Sequence, residues 1–179
     1  MTILASIAEV QARWGYSEIL DGTFSYAYDN GHDTASLREK RRNGVPFENL
    51  TKSDKYSLAF QSSLVRVNLL PYLAGVEGLG LIELDRTELG KLFVPPNVWK
   101  DSQGSFHPFE HYIATTTNEV GDARTVNIDP ADYKLPIDPI TIGRSYQHRV
   151  LIDGYHRAAA FWKFGPSDGT ISAYLPQGL

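Results

Sequence analysis

The clearest pattern in the chain lies in its last 45 residues, where strand and helix signals follow one another closely. Residues 147–152 end in the apolar run Val150-Leu151-Ile152, which predicts a strand. Asp153-Gly154 then predicts a tight turn, 155–164 a helix that ends at Gly165, and 170–175 another strand. This strand–turn–helix–strand unit favours a fold in which helices pack on a sheet.

The start of the predicted helix has the properties of an anion site. A turn from strand to helix leaves the first backbone N–H groups without intrahelical acceptors, and the helix dipole makes that end electropositive. Arg157 falls in the first helical turn, where a bound phosphate would compensate its unfavourable position. His156 offers a second donor or a proton-transfer group. Asp153 offers a helix cap or a metal ligand, or it simply pairs with Arg157.

Charge is distributed unevenly around this segment. The chain carries 17 basic and 21 acidic residues, a formal net charge of −4, which argues against a protein that coats nucleic acid. The window 134–165 nevertheless has five basic and only two acidic residues. A local basic patch on an acidic protein indicates one anion-binding site, and chance clustering is the alternative.

Composition limits the remaining possibilities. The 179 residues are 42% hydrophobic, enough for a real core, and the chain has no cysteine. Disulfides, thiolate metal sites and cysteine nucleophiles are therefore excluded. No apolar run approaches 18 residues and the N-terminus lacks a signal-peptide pattern, so we expect a cytoplasmic protein with no membrane span.

Two regions are expected along the chain: helices over 1–63 that pack on a core domain over 64–179. Turn and cap signals predict a first helix that begins after Thr2, a second over 35–42 and a third from Thr51 or Ser53 towards Ser63. Strands are expected over the following segments: 64–69, 80–84, the Thr-rich stretch 111–117, and 137–142, which Pro139 would confine to a sheet edge. A short helix is expected over 87–93. The fold class is therefore α/β with a mixed sheet.

The run from Ile152 to Ala160, Ile-Asp-Gly-Tyr-His-Arg-Ala-Ala-Ala, resembles the phosphate-binding box of the ParB/sulfiredoxin superfamily. That box has an apolar strand, Asp-Gly-x-His-Arg, and then small residues on a helix. Residues 135–142 also resemble the strand that precedes it, so the resemblance covers about 130–175. It implies a ParB/sulfiredoxin-like core in which Gly154, His156 and Arg157 contact nucleotide phosphates. Asp153 would shape the turn or help to hold Mg²⁺.

Departures from the family pattern narrow what the resemblance implies. Sulfiredoxins have a cysteine just before the box histidine, where this chain has Tyr155, so their repair activity is excluded. The chromosome-partitioning members carry a helix-turn-helix domain after the box, and only 14 residues follow Gly165 here. One remaining branch contains nucleotidases and nucleases, among them fertility-inhibition proteins of conjugative plasmids, which have a similar size and box position. The other contains free-serine kinases with a similar box.

Phosphoryl chemistry also needs an acid that activates water or carries metal. Glu83 and Asp85 lie two residues apart at the end of a predicted strand and are the candidate catalytic acids, with solvated strand-end acids as the alternative. Arg149 shares a strand face with Asp153 by alternation and is a candidate extra phosphate contact.

Two weaker patterns have ordinary explanations. His107-Pro108-Phe109-Glu110-His111 matches the H-x-x-E-H pattern of inverted zinc peptidases, but a β-like stretch follows it, which favours surface or structural histidines. The basic run 38–42 could contact a nucleic-acid backbone, and a solvated helix face explains it equally well.

Together these observations lead to one expected function and two alternatives. We expect a nucleotide-binding phosphohydrolase of the ATPase or DNase type that uses ATP or another nucleotide with Mg²⁺. Its expected partners are DNA and a protein of the conjugation machinery, whose DNA transfer it would oppose. The alternatives are a kinase for a small molecule such as serine and a non-catalytic, nucleotide-gated interaction protein.

Overall fold

A computed structural model describes residues 4–20, 34–65, 67–95, 105–116, 128 and 138–177. The chain divides into two units, an N-terminal unit from Leu4 to Gly78 and a C-terminal unit that begins at Leu79. The division lies after the turn at 74–78, whereas the sequence suggested a boundary at 63/64. No helix in the described residues is long and apolar enough to cross a membrane.

The N-terminal unit is mainly helical. It contains strand β1 (Leu4–Ala5) and helices α1 (Ile7–Glu18), α2 (Ala35–Arg42) and α3 (Lys52–Val65), with 3-10 turns at Phe47–Asn49 and Leu70–Leu73. Apolar side chains of the three helices and the first 3-10 turn form its core. Gly15 brings α1 against α3, since a Cβ there would lie 3.2 Å from the carbonyl oxygen of Leu58.

Local caps explain where two of these helices begin. The hydroxyl of Ser6 accepts a hydrogen bond from the amide of Glu9, so α1 begins at Ile7 and not after Thr2 as expected. The Thr51 hydroxyl accepts from the amide of Asp54, whose carboxylate accepts in return from the Thr51 amide. The prediction that Thr51 opens a helix is confirmed, as are the bounds of α2.

The prediction of a strand over 64–69 is wrong. Helix α3 continues to Val65, and a turn and the second 3-10 turn follow residue 66. β-Branched side chains favour a strand only where neighbours bury them, and Val67 is 65% exposed. The helix that begins after Thr51 therefore continues into the segment for which the β-branched residues predicted a strand.

The C-terminal unit is a mixed sheet with helices. Its strands are β2 (Leu79–Leu84), β3 (Phe93–Val94), β4 (His107–Pro108), β5 (Ile140–Ser145), β6 (His148–Asp153) and β7 (Ile171–Pro176). Their order is β2-β7-β5-β6-β3-β4, in which β7/β5 and β6/β3 are parallel and the other pairs are antiparallel. The helices are α4 (Arg86–Gly90), α5 (Phe109–Thr115) and α6 (Tyr155–Phe164). The predicted α/β class with a mixed sheet is confirmed.

Helix α6 packs on this sheet through its small residues. Ala158 and Ala159 are fully buried in a core cluster that also holds Ile140, Ile142 and Leu151 from β5 and β6. Small side chains let the helix axis lie close to the strands. The predicted bounds of α6 are confirmed, and β2, β6 and β7 fall within one residue of the predicted strands.

Two strand predictions in this unit need correction. Residues 109–115 form α5, because Phe109 and Tyr112, three residues apart, both turn into the core and are fully buried. The hydroxyl groups of Thr115 and Thr116 donate hydrogen bonds to backbone carbonyls four residues earlier, so these threonines are compatible with the end of the helix.

Strand β5 begins at Ile140 and lies between β7 and β6, not at an edge. Pro139 precedes the strand and so removes no ladder hydrogen bond. Residues 135–137, which belong to the strand resemblance noted above, lie outside the described part of the chain. The helix expected over 87–93 is shorter, since α4 covers Arg86–Gly90 and Phe93 begins β3.

Candidate phosphate-binding turn

The turn between β6 and α6 depends on a glycine. Gly154 has φ 89° and ψ 27°, the left-handed conformation, and occupies the N-cap position of α6. A Cβ at this position would lie 2.7 Å from Cγ2 of Ile140 on the neighbouring strand. Both the dihedral angle and the available space therefore exclude a side chain here. The amide of Ala158 donates to the Gly154 carbonyl at 2.8 Å, which closes the first helical turn.

Asp153 and Arg157 form an ion pair across this turn. Nη2 of Arg157 lies 2.5 Å from Oδ2 of Asp153, whose side chain is 3% exposed, and Nη1 donates to the carbonyl of Asp138 at 3.4 Å. The pairing that the sequence offered as an alternative is therefore present. It also compensates a cation in the first helical turn, so that position does not by itself require a phosphate.

Arg157 still has capacity for a ligand. A guanidinium has five N–H donors, and described residues take up two of those of Arg157. Its side chain is 24% exposed, so the group is held in place on one side and open to solvent on the other. Buried Asp153 thus fixes the orientation of the arginine at the electropositive end of α6.

His156 is the second residue of α6 and is partly buried beside Arg157. Tyr155 precedes it and donates through its hydroxyl to the carbonyl of Leu151 on β6, which ties the start of the helix to the strand. Gly154, His156 and Arg157, the three predicted phosphate contacts, thus all lie at the N-cap or in the first turn of α6.

The proposed metal role of Asp153 does not fit its surroundings. Its carboxylate is buried and already accepts from Arg157. Within the described residues, no three His, Asp or Glu side chains are grouped so that they could hold a metal ion. The structure thus gives Asp153 a positioning role towards Arg157.

The structure does not bring Arg149 to this turn. Arg149 lies at the opposite end of β6, four residues from Asp153, a separation of about 13 Å along the strand. Alternation does place the two on one face, but a phosphate held by Arg157 is beyond direct reach of Arg149.

Glu83 and Asp85 are also remote from the turn. β7 and β5 separate β2 from β6, so Glu83 lies about 14 Å across the sheet from Asp153. The Glu83 carboxylate accepts from the hydroxyls of Thr170 and Ser172 at 2.8 and 2.5 Å. Asp85 caps α4 by accepting from the amide of Glu88 at 2.7 Å, and the Glu88 side chain accepts from the Asp85 amide. In the structure Glu83 therefore links β2 to residues at the start of β7, and Asp85 serves as the N-cap of α4.

The H-x-x-E-H segment spans two elements. His107 lies on β4, while Glu110 and His111 lie on α5, and the two imidazole rings are 5.5 Å apart between centroids. Zinc peptidases of that pattern need both histidines on one helix. The start of α5 at Phe109 leaves His107 outside it.

Sequence reasoning missed two residues that hold the unit around α6. Arg86 donates to the carbonyl of Gly165 at 2.8 Å and of Phe161 at 3.4 Å, which caps the end of the helix. Asp138 supplies the carbonyl that receives Nη1 of Arg157. Both contacts join residues far apart in sequence, and no local signal indicates them.

Comparison of the chain with family models, with curated proteins and with solved structures gave no match.

Proposed function

We propose that the C-terminal unit binds the phosphates of a nucleotide, such as ATP, at the turn formed by residues 153–157. The observation that carries the proposal is the guanidinium of Arg157, which Asp153 holds at the start of α6 and of whose five N–H donors the described residues take up only two. Left-handed Gly154 puts no side chain between a ligand and the helix N-terminus. Charge-assisted, preoriented donors are the groups that recognise phosphate oxygens.

Hydrolysis of the bound nucleotide is the reaction we propose for this site. His156, next to Arg157, would take a proton from the attacking water, whose oxygen bonds to the terminal phosphorus as the phosphoanhydride bond breaks. Glu83 and Asp85 take no part in this proposal, because they lie across the sheet and cap or bridge other groups. Since Asp153 is paired with Arg157, no step is assigned to a protein-bound Mg²⁺.

A second candidate is a nucleotide-gated binding protein without turnover. The paired state of Asp153 favours it, because the carboxylate nearest to the turn serves to orient Arg157 and is not poised to activate water. The two candidates share the same binding site and differ only in whether phosphate is released.

The binding experiment is a calorimetric titration with ATP, ADP and CTP, each with and without Mg²⁺. Replacing Arg157 alone would remove the cation that pairs with a buried carboxylate, so the informative variant is the double change Asp153→Asn with Arg157→Gln. Loss of a charge-assisted contact is expected to weaken binding about 10- to 150-fold. Arg149→Gln, which changes the charge at the far end of β6, is the matched control and should bind as the native chain does.

Phosphate release then separates the two candidates. A hydrolase should lose about 10²–10⁴ in kcat in His156→Ala, measured at saturating nucleotide so that any loss of affinity does not enter. Binding without release of phosphate supports the gated binding protein. Undiminished affinity in the double variant at 153 and 157 would overturn the site itself.

A further inference from the structure

The hairpin that joins β5 to β6 carries an unusual residue at its tip. Tyr146 is 98% exposed and has φ 52°, the left-handed region. Glycine, asparagine and aspartate are the residues that occupy such hairpin positions without strain, and a bulky aromatic residue there is uncommon. Tyr146 also makes no hydrogen bond or ring contact with the described part of the chain, so folding gains nothing visible from its ring.

Two arginines flank this tyrosine. Arg144 and Arg149 are directly paired across the two strands, an arrangement in which like charges repel. The Arg149 side chain is exposed, and no carboxylate in the described residues forms an ion pair with it. No acidic residue occurs between 139 and 152. The tip, defined here as residues 144–149, therefore carries two arginines, of which Arg149 is exposed, and an exposed aromatic ring within six residues.

Packing at the root of the tip gives it a fixed orientation. The imidazole of His148 packs against the ring of Phe93 of β3, with 4.2 Å between ring centroids and a tilt of 41°, and its centroid lies 6.2 Å from that of the Phe106 ring. Val150, the next inward residue on β6, is fully buried. The hairpin thus projects its charged and aromatic end from a packed base.

We propose that the hairpin tip binds single-stranded nucleic acid. The arginines supply donors for the phosphates, and Tyr146 supplies an exposed ring on which an unstacked base can lie. A duplex keeps its base faces covered, which favours a single strand as the ligand. The net charge of −4 confines favourable electrostatics to a local footprint of a few phosphates.

This site is separate from the proposed nucleotide site. His148 and Asp153 are five residue steps apart on β6, about 17 Å along the strand. The proposal therefore does not rest on the proposed function, and changes at one end of β6 should leave binding at the other end intact.

The test uses fluorescence anisotropy with a labelled 12-nucleotide thymidylate strand and the whole protein. Tyr146→Gly removes the ring and suits the backbone angle, so the variant should fold at least as well as the native chain. Its affinity for the strand should fall about 5- to 150-fold, the range for loss of one base stack. Tyr146→Phe keeps the ring and should bind normally.

Charge is tested in parallel. The double variant Arg144→Gln, Arg149→Gln should bind more weakly and flatten the salt dependence by about 1.4 in the slope of log K against log salt, for two phosphate contacts. Tyr56→Ala, another exposed tyrosine, and Lys52→Gln, an exposed cation outside the basic run 38–42, are the matched controls in the N-terminal unit and should bind as the native chain does.

Three outcomes would overturn the proposal. One is the absence of binding to the strand at low salt. Another is equal affinity in Tyr146→Gly and the native chain, which would show attraction by charge alone. The third is an equal loss in the controls and the tip variants. Reduced strand binding in the tip variants with unchanged ATP binding would separate the tip from the turn at 153–157.

Discussion

Gly154→Ala tests the backbone geometry of the turn at residues 153–157, on which the proposed phosphate site depends. The native φ of 89° would place alanine in the left-handed region, at a cost of about 1–2 kcal/mol. The new Cβ would also lie 2.7 Å from Cγ2 of Ile140, and such overpacking costs about 1–3 kcal/mol. The total expected loss of stability is about 2–5 kcal/mol.

Gly75→Ala isolates the two contributions. Gly75 has φ 75°, and nothing lies within 4 Å of a Cβ built there, so only the conformational cost of about 1–2 kcal/mol applies. Native-state hydrogen exchange measures each variant in its own unit, which avoids assuming that both units unfold together. The difference between the two variants then gives the cost of the contact with Ile140.

Ile140→Leu completes the test, because leucine keeps the volume but has no Cγ2 methyl. On its own it should cost less than about 1.5 kcal/mol. Combined with Gly154→Ala it should recover about 1 kcal/mol or more relative to the sum of the single changes. Equal costs at Gly154 and Gly75, or strict additivity in the double variant, would refute the claim that the turn is closed to a side chain by its neighbour.

Three further predictions concern groups outside the turn. Arg86→Ala should destabilise the C-terminal unit by about 1.5–3 kcal/mol in urea unfolding, because the carbonyl of Gly165 loses a charged donor. Asp85→Ala should cost about 1 kcal/mol through loss of the α4 cap, while Asp85→Asn stays close to native stability and both retain phosphate release. Burial raises the pKa of Asp54, but hydrogen bonds from Lys40 and Thr51 outweigh it and hold that pKa below its ordinary value. The pair therefore stabilises the N-terminal unit at neutral pH, and this contribution should disappear as pH falls below about 4.

Each of these predictions has a contradicting result. Lys91 is exposed and directly follows α4, so Lys91→Ala is the control for Arg86→Ala. Equal losses of stability in the two variants would contradict the role of Arg86 as a cap of α6. Loss of turnover in Asp85→Asn would restore a catalytic role to that acid. Lys40→Met should lower stability by at most about 1 kcal/mol at pH 7 and flatten its decline in acid, and an unchanged pH profile would contradict the assigned pair.

Sequence pattern predicted the elements whose signals are local. The bounds of α6 follow from the Asp-Gly turn before it and Gly165 after it, and both signals act within a few residues. The Thr51 cap likewise predicts α3. The α/β class follows from the alternation of such segments.

Predictions failed where distant contacts decide the structure. Residues 111–115 of the Thr-rich stretch 111–117 belong to a helix because Phe109 and Tyr112 are buried by other elements. β5 is central because the chain returns to pair with it as β7, an order that no local signal reveals. The same holds for the candidate site: residues 153–157 are contiguous, so a local pattern is enough to propose them, whereas the placement of Glu83 and Asp85 depends on strand order.

Strand geometry limited one further prediction. Alternation correctly predicted that Arg149 and Asp153 share a face of β6. It does not show whether the Arg149 side chain can reach a ligand at Asp153, and the rise per residue puts the two positions about 13 Å apart. That distance separates the proposed nucleotide site from the hairpin tip and makes the two proposals independently testable.

The most direct test of the phosphate-binding turn is a calorimetric titration of ATP into the native protein and into the double variant Asp153→Asn, Arg157→Gln. We expect measurable binding to the native chain and an affinity at least tenfold lower in the folded variant, about 1.4 kcal/mol or more. Equal affinities for the two proteins would show that Arg157 does not contact the ligand and would contradict the central claim.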